Sequence, residues 1–155
     1  AARGKIMTFG DNSGLMVRKA KLADLDEIKL LVDQHKLELG FVVRAALMRS
    51  INSSEVMVAI SENEKIVGFV HYRHRKDGQT TLYNILVRHD FQGHGVGERL
   101  VAELAKEAVV RSQKMILLKC PVELKANDFY RKLGFTLEGT LDGKKRPLNV
   151  WRIDI

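Results

Sequence analysis

Between Thr80 and Leu118 the chain runs from a strand through three alternating glycines into a long amphipathic helix, then into a short apolar run. Thr80 to Val87 has the aliphatic and β-branched content of a strand. Leu100, Val101, Leu104, Ala105 and Ala108 recur on one face of the helix that follows. Met115 to Leu118 is uninterruptedly apolar, the pattern of a central strand buried on both sides. Such a β-loop-α-β unit needs a sheet with helices packed upon it.

The remaining segments extend that sheet. Leu15 to Ala20 reads as a short strand. A helix starts at Ala23-Asp24, with Asp26 and Glu27 in its first turn and Leu25, Ile28, Leu31 and Val32 at helical spacing. A second helix runs from Phe41 to Ile51, with Val42, Ala45 and Ala46 on one stripe that continues to Arg49. Glu55 to Ile60 and Ile66 to Tyr72 form a hairpin through Asn63-Glu64, and Asp77-Gly78 turns into the strand at Thr80. Glu123 to Leu133 is a helix stopped by Gly134. Phe135 to Leu137 and Val150 to Ile155 are the last strands, joined through Asp142-Gly143 and a basic loop. The order is β α α β β β α β α β β. The fold class is α/β of the mixed α+β kind, a mixed and mostly antiparallel sheet with helices on both faces. Residues 15–155 form one domain, and residues 1–14 read as a poorly ordered lead-in without the apolar stretch of a signal peptide.

Composition narrows the partners. The 155 residues are 45% hydrophobic and 29% charged, which excludes a disordered chain, a collagen-like fibre and a disulfide scaffold. Lys and Arg number 26 against 19 Asp and Glu, a net charge of +7. A basic surface suits nucleic acid, anionic lipid or a phosphorylated small molecule. Cys120 is the sole cysteine, so no intramolecular disulfide forms, and no stretch approaches the roughly 18 apolar residues of a membrane span. A cytoplasmic protein with no membrane attachment is expected.

The glycines stand in Gln92-Gly93-His94-Gly95-Val96-Gly97-Glu98-Arg99. Glycines at the mouth of a helix let backbone N–H groups approach an anion, and the helix N-terminus adds partial positive charge. The nucleoside-triphosphate P-loop needs Gly-Lys-Ser/Thr after its glycines, and Gly97-Glu98-Arg99 does not supply it. The dinucleotide fingerprint needs a glycine at its sixth place, where Glu98 stands. Plain close packing at a helix entry is the bland alternative.

A third signature, Gln/Arg-x-x-Gly-x-Gly/Ala, is met in full by Gln92 to Gly97. Here the chain resembles the GNAT superfamily of acetyl-CoA-dependent N-acetyltransferases. The resemblance spans Leu15 to Ile155 and is strongest from Thr81 to Phe135. It is joined by Phe129-Tyr130-Arg131-Lys132-Leu133-Gly134-Phe135, which looks like the family's Phe-Tyr-x-x-x-Gly-Phe ending. The resemblance implies acetyl-CoA as acyl donor. The strand edge at Ile85, Leu86 and Val87 would bond the pantetheine, and the loop Gln92, Gly93, His94, Gly95, Val96 and Gly97 would hold the pyrophosphate. Tyr130 would be the general acid at the sulfur. Proline is frequent in the family where His89 stands, and asparagine where Glu123 stands. The glutamate base that some members carry before the loop has no counterpart, since Thr80 to Val87 holds no carboxylate.

Other readings stay open for single residues. Tyr130 is equally a ring packed in the core with its hydroxyl in water. Asn127 shares a helix face with Tyr130, and it either bonds the cofactor or stands exposed. His71 or His74 could relay the amine proton; their odd spacing points them to opposite sheet faces and speaks against a metal site. Cys120 suits a small buried hydrophobe better than an acyl-enzyme. Arg73-His74-Arg75-Lys76 and Lys144-Lys145-Arg146 flank Asp-Gly turns, as solvated hairpin tips or as contacts to an acidic partner.

The expected function is transfer of acetyl from acetyl-CoA to a primary amine by direct attack in a ternary complex, by a monomer or homodimer. A non-catalytic acyl-CoA sensor of the same fold is the alternative. A nucleic-acid-binding module is weaker, because only Tyr72 interleaves with the basic cluster as an aromatic.

Overall fold

A computed structural model describes residues 14–36 and 42–155. Strand β1 is Met16–Lys19 and a 3-10 turn covers Leu22–Asp24. Helices α1 (Leu25–Asp33) and α2 (Arg44–Asn52) precede β2 (Val56–Ile60), β3 (Ile66–His74) and β4 (Gln79–Val87). Helix α3 (Val96–Val110), β5 (Met115–Pro121), α4 (Ala126–Leu133), β6 (Thr136–Asp142) and β7 (Pro147–Asp154) complete the order. It matches the order expected from the sequence. The lead-in, apart from Gly14, and the helix start at Phe41 lie outside the described residues.

The seven strands form one sheet in the order β1-β2-β3-β4-β5-β7-β6. All pairs are antiparallel except β4 with β5. Strand β2 shows why its sequence is apolar throughout. Val56, Val58 and Ile60 face a core shared with α1 and α2, while Met57 and Ala59 face a second core built on α3 and α4. The stripe expected on α2 is rotated: Leu47 and Ile51 are buried, whereas Ala45 is exposed. The larger side chains have more apolar area to remove from water and therefore decide which face packs.

Helix α4 begins at Ala126 rather than Glu123. The preceding residues form a turn in which the Leu124 amide bonds the Pro121 carbonyl at 3.1 Å. The last hairpin is longer than expected, paired from Thr136↔Arg152 to Asp142↔Pro147. All seven residues of β6 are exposed at the sheet edge, so its hydrophobic pattern is weak.

Two departures from regularity shape the centre. Strands β4 and β5 pair only from Gln79↔Met115 to Leu82↔Leu118. Beyond that point β4 stays bonded to β3 as far as Val87↔Gly68, and β5 to β7 as far as Pro121↔Leu148. The two parallel strands therefore part, leaving a cleft between their C-terminal ends. Next to the fork, His71 pairs with Asn84 but Tyr72 pairs with Leu82, so Tyr83 is the extra residue of a β-bulge.

Candidate active site

The cleft is a cavity of about 800 Å³. One wall is β4, with Tyr83, Asn84, Ile85, Leu86 and Val87; the other is β5, with Lys119, Cys120 and Pro121. Gln92, Gly93, Gly95, Val96 and Gly97 close one end, and Phe129 and Tyr130 of α4 line it as well. The structure thus gathers Ile85 to Val87, most of the glycine loop and Tyr130 around one space. His94 and Asn127 lie outside its lining.

The loop geometry follows from its glycines. Gly95 caps α3 with φ +83°, a left-handed conformation that side chains disfavour. A Cβ on Gly97 would stand 3.0 Å from Cζ of Phe129, so glycine there lets α3 approach α4 closely. Gln92 Nε2 donates to the Val87 carbonyl at 3.1 Å, and Arg88 grips Asp90 with Nε and Nη2 at 2.6 and 2.8 Å. The first amides of α3 have no carbonyl one turn earlier to bond, and they stand at the mouth of the cavity. Lys119, Lys125 and Arg146 add cationic side chains to the lining. Sequence reading did not single out Lys119 or Lys125; no local pattern marks a lysine that the fold brings to a cleft.

Tyr130 is buried, with its ring edge-on to Phe129 and Phe135 at 5.4 and 5.8 Å between centroids. Its hydroxyl makes no hydrogen bond among the described residues, so its donor remains available to the cavity it lines. Burial, reinforced by neighbouring Cys120, pushes the phenol well above its ordinary pKa and keeps it protonated. Burial likewise raises the Cys120 thiol to about 11, with a smaller push from Glu123. A thiol so protonated at neutral pH is a poor nucleophile.

Asn127 corrects the reading of its position as an exposed residue. It is neither exposed nor at the cavity: it is buried, and its side chain is committed within the protein. Nδ2 donates to the carbonyls of Leu124 and Pro121 at 2.7 and 2.9 Å. Oδ1 accepts from Asn149 Nδ2 at 3.0 Å and from Trp151 Nε1 at 2.8 Å. The residue fastens the turn before α4 to β7.

The histidines divide. His35, which the sequence reading left without a role, is buried and lines the cavity, stacked on His89 at 4.1 Å. His74 Nδ1 lies 2.8 Å from Thr80 Oγ1, with the ring beside Tyr72. His71 faces Tyr83, with 5.1 Å between ring centroids. Burial lowers the pKa of both His71 and His74. In the basic clusters, Arg73 pairs with Glu55 at 2.9 Å and Arg146 with Glu123 at 2.7 Å. Among the described residues no three His, Cys, Asp or Glu side chains converge as a metal site would require, and no helix is long and apolar enough to cross a membrane.

Comparison with known proteins bears on this site. Residues 52–137 match the family described as Acetyltransferase (GNAT) domain. The N-acetyltransferase ycf52 of Pyropia yezoensis is 29% identical over 121 residues, which cover 74% of this chain and 66% of that protein. The chain thus spans just under two thirds of the length of that relative. The crystal structure of Ard1 from Thermoplasma volcanium superposes with a TM-score of 0.81 at 16% identity, covering 92% of this chain and 98% of that one. The PaiA N-acetyltransferase of Thermoplasma acidophilum, solved in complex with coenzyme A, superposes with a TM-score of 0.78 at 15% identity, covering 91% and 99%. At these identities the structural likeness is one of fold.

Proposed function

Because this chain belongs to the GNAT acetyltransferases, we propose that its cleft binds acetyl-CoA and that residues 15–155 act as one domain passing the acetyl group to an amine by direct attack in a ternary complex. The observation that carries this reading is the parting of β4 from β5 beyond Leu82 and Leu118, with the glycine loop at one end of the gap and Tyr130 on its wall. The gap leaves the inner edge of β4 without a neighbouring strand at Ile85, Leu86 and Val87. A pantetheine arm laid along that edge would bond the backbone as an added strand does.

The chemistry follows from the groups around the gap. The cofactor supplies an activated acetyl thioester. The amides at the start of α3 and the loop Gln92 to Gly97 would hold its pyrophosphate, where backbone N–H groups and the helix dipole favour negative charge. Tyr130 would hold a proton at its Oη and donate it to the departing sulfur. A thiol near 8.5 and a phenol at 10 or above make full transfer uphill in water, but burial disfavours a bare thiolate as well. The phenol therefore acts first as a hydrogen-bond donor to the developing charge. The protonated Cys120 thiol beside it supports direct attack over an acyl-cysteine route.

Calorimetry with acetyl-CoA, followed by thiol release on adding an amine pool, tests the proposal. Binding with amine-dependent release supports it. Binding without release identifies an acyl-CoA sensor, and no binding removes the cofactor assignment.

A further inference from the structure

A second hollow, of about 380 Å³, lies beside the first, and Tyr83 lines both. The bulge in β4 is what turns Tyr83 to this position, against His71 of β3. The rest of the hollow is polar and arginine-rich. Arg49 extends from the last turn of α2, exposed and without a hydrogen bond or ion pair among the described residues. Arg73 gives its Nε to Glu55 at 2.9 Å, and its terminal nitrogens have no partner among the described residues. Glu55, only 16% exposed, thus tethers the Arg73 guanidinium through its Nε and leaves the terminal nitrogens turned to other partners. Two guanidinium groups lining one hollow offer the kind of donors that a planar or tetrahedral oxyanion takes. The net charge of +7 draws such a solute in.

We propose that this hollow anchors an oxyanion of the acceptor, so that the amine to be acetylated belongs to a molecule that also carries a carboxylate or a phosphate. The inference rests on the acetyl-transfer reading of the neighbouring cleft. With the anion held by Arg49 and Arg73, the amine reaches past Tyr83 into the cofactor cavity. Glu55 is neutralised by Arg73, which leaves the cationic character of Arg49 unopposed within the hollow. A polyamine, cationic at both ends, would bring a like charge to Arg49 and lose by it.

The experiment compares matched acceptors with acetyl-CoA, reading thiol release. Free amino acids are set against their carboxamides, and O-phosphoethanolamine against ethanolamine. The expected result is a kcat/KM at least about tenfold higher for the anionic member of a pair, the scale of one charge-assisted hydrogen bond. Arg49→Gln should shrink that gap to within about threefold, while calorimetric affinity for acetyl-CoA stays unchanged. Arg49 is exposed, so the variant keeps the packing of α2. A gain confined to one pair says whether the anion is carboxylate or phosphate. Neutral acceptors equal to their anionic partners, or a gap that survives Arg49→Gln, overturns the inference while leaving acetyl transfer standing. Release with none of the acceptors, despite acetyl-CoA binding, overturns both.

Discussion

The indole Nε1 of Trp151 donates to Oδ1 of Asn127 at 2.8 Å, tying strand β7 to the helix that carries Tyr130. Trp151 is 1% exposed, so in the intact protein its N–H is satisfied by Asn127 and not by bulk water. Asn127→Ala strands the indole N–H, while the carbonyls of Pro121 and Leu124 each lose one donor and keep a backbone amide, from Leu124 and residue 127 respectively. A buried polar group left unpaired costs about 1–3 kcal/mol, so a loss of about 1–3 kcal/mol in urea unfolding is expected. At a temperature where the variant is folded, its acetyl-CoA affinity should match the parent within about threefold. A large loss of affinity with unchanged stability would instead make Asn127 a ligand-binding residue.

The glycine loop gives a second test. Gly95→Val forces a β-branched residue to φ +83° and places bulk where a pyrophosphate would lie. Acetyl-CoA binding should weaken at least about tenfold, or ~1.4 kcal/mol. Isothermal titration on folded variant measures it, and an unchanged Kd would remove the loop from cofactor binding.

Tyr130→Phe keeps the ring between Phe129 and Phe135 and breaks no hydrogen bond among the described residues. Its melting temperature should therefore be close to the parent's. If the phenol donates to the leaving sulfur, kcat falls by roughly 10²–10⁴-fold while acetyl-CoA affinity holds. Turnover within about threefold of the parent at every pH would leave water as the proton source.

Acid sensitivity should begin in the histidine range. His71 and His74 are depressed chiefly by burial; Glu55 opposes the shift at His71 and Glu107, with Glu55, at His74, while Arg73 assists it at His71 and Arg111 and Lys19 at His74. A depressed histidine binds fewer protons folded than unfolded. Its contribution is complete above the unfolded pKa near 6.5 and is lost as pH falls toward the folded value, at no more than about 1.4 kcal/mol per pH unit for each proton. Urea midpoints should fall between pH 7.5 and 5.5. The slope should flatten in a His71→Gln, His74→Gln double variant, and an undiminished slope would assign it to other groups.

What the sequence showed, it showed through periodicity and glycines. The α3 stripe from Leu100 to Ala108 and the Gly134 cap of α4 are local properties, and the structure has both. The stripe of α2 was misjudged because Val42, Ala45 and Ala46 fit the helical period, while tertiary packing selected the bulkier Leu47 and Ile51. The hairpin strands β6 and β7 were read too short because pairing with a neighbour, not their own hydrophobicity, extends them. At the site, the loop and Tyr130 carried a recognisable spacing. Asn127, His35 and the arginine hollow did not, since each depends on partners distant in sequence: Trp151 for Asn127, His89 for His35, and Glu55 for Arg73.

The fork between β4 and β5 divides the sheet into two ribbons, each zipped along its own length and joined through four residue pairs. One ribbon is β1 to β4 and the other is β5, β7 and β6. Each wall of the gap is therefore held from behind by a backbone ladder, β4 by β3 and β5 by β7. Exposed wall residues such as Tyr83 and Lys119 stand outside both cores, so they can be exchanged while the ladders keep the ribbons apart. The same seam marks where the polypeptide divides into two fragments: a break between Val110 and Met115 would sever no ladder, and the halves could reunite through the Gln79–Leu82 pairing and the second core.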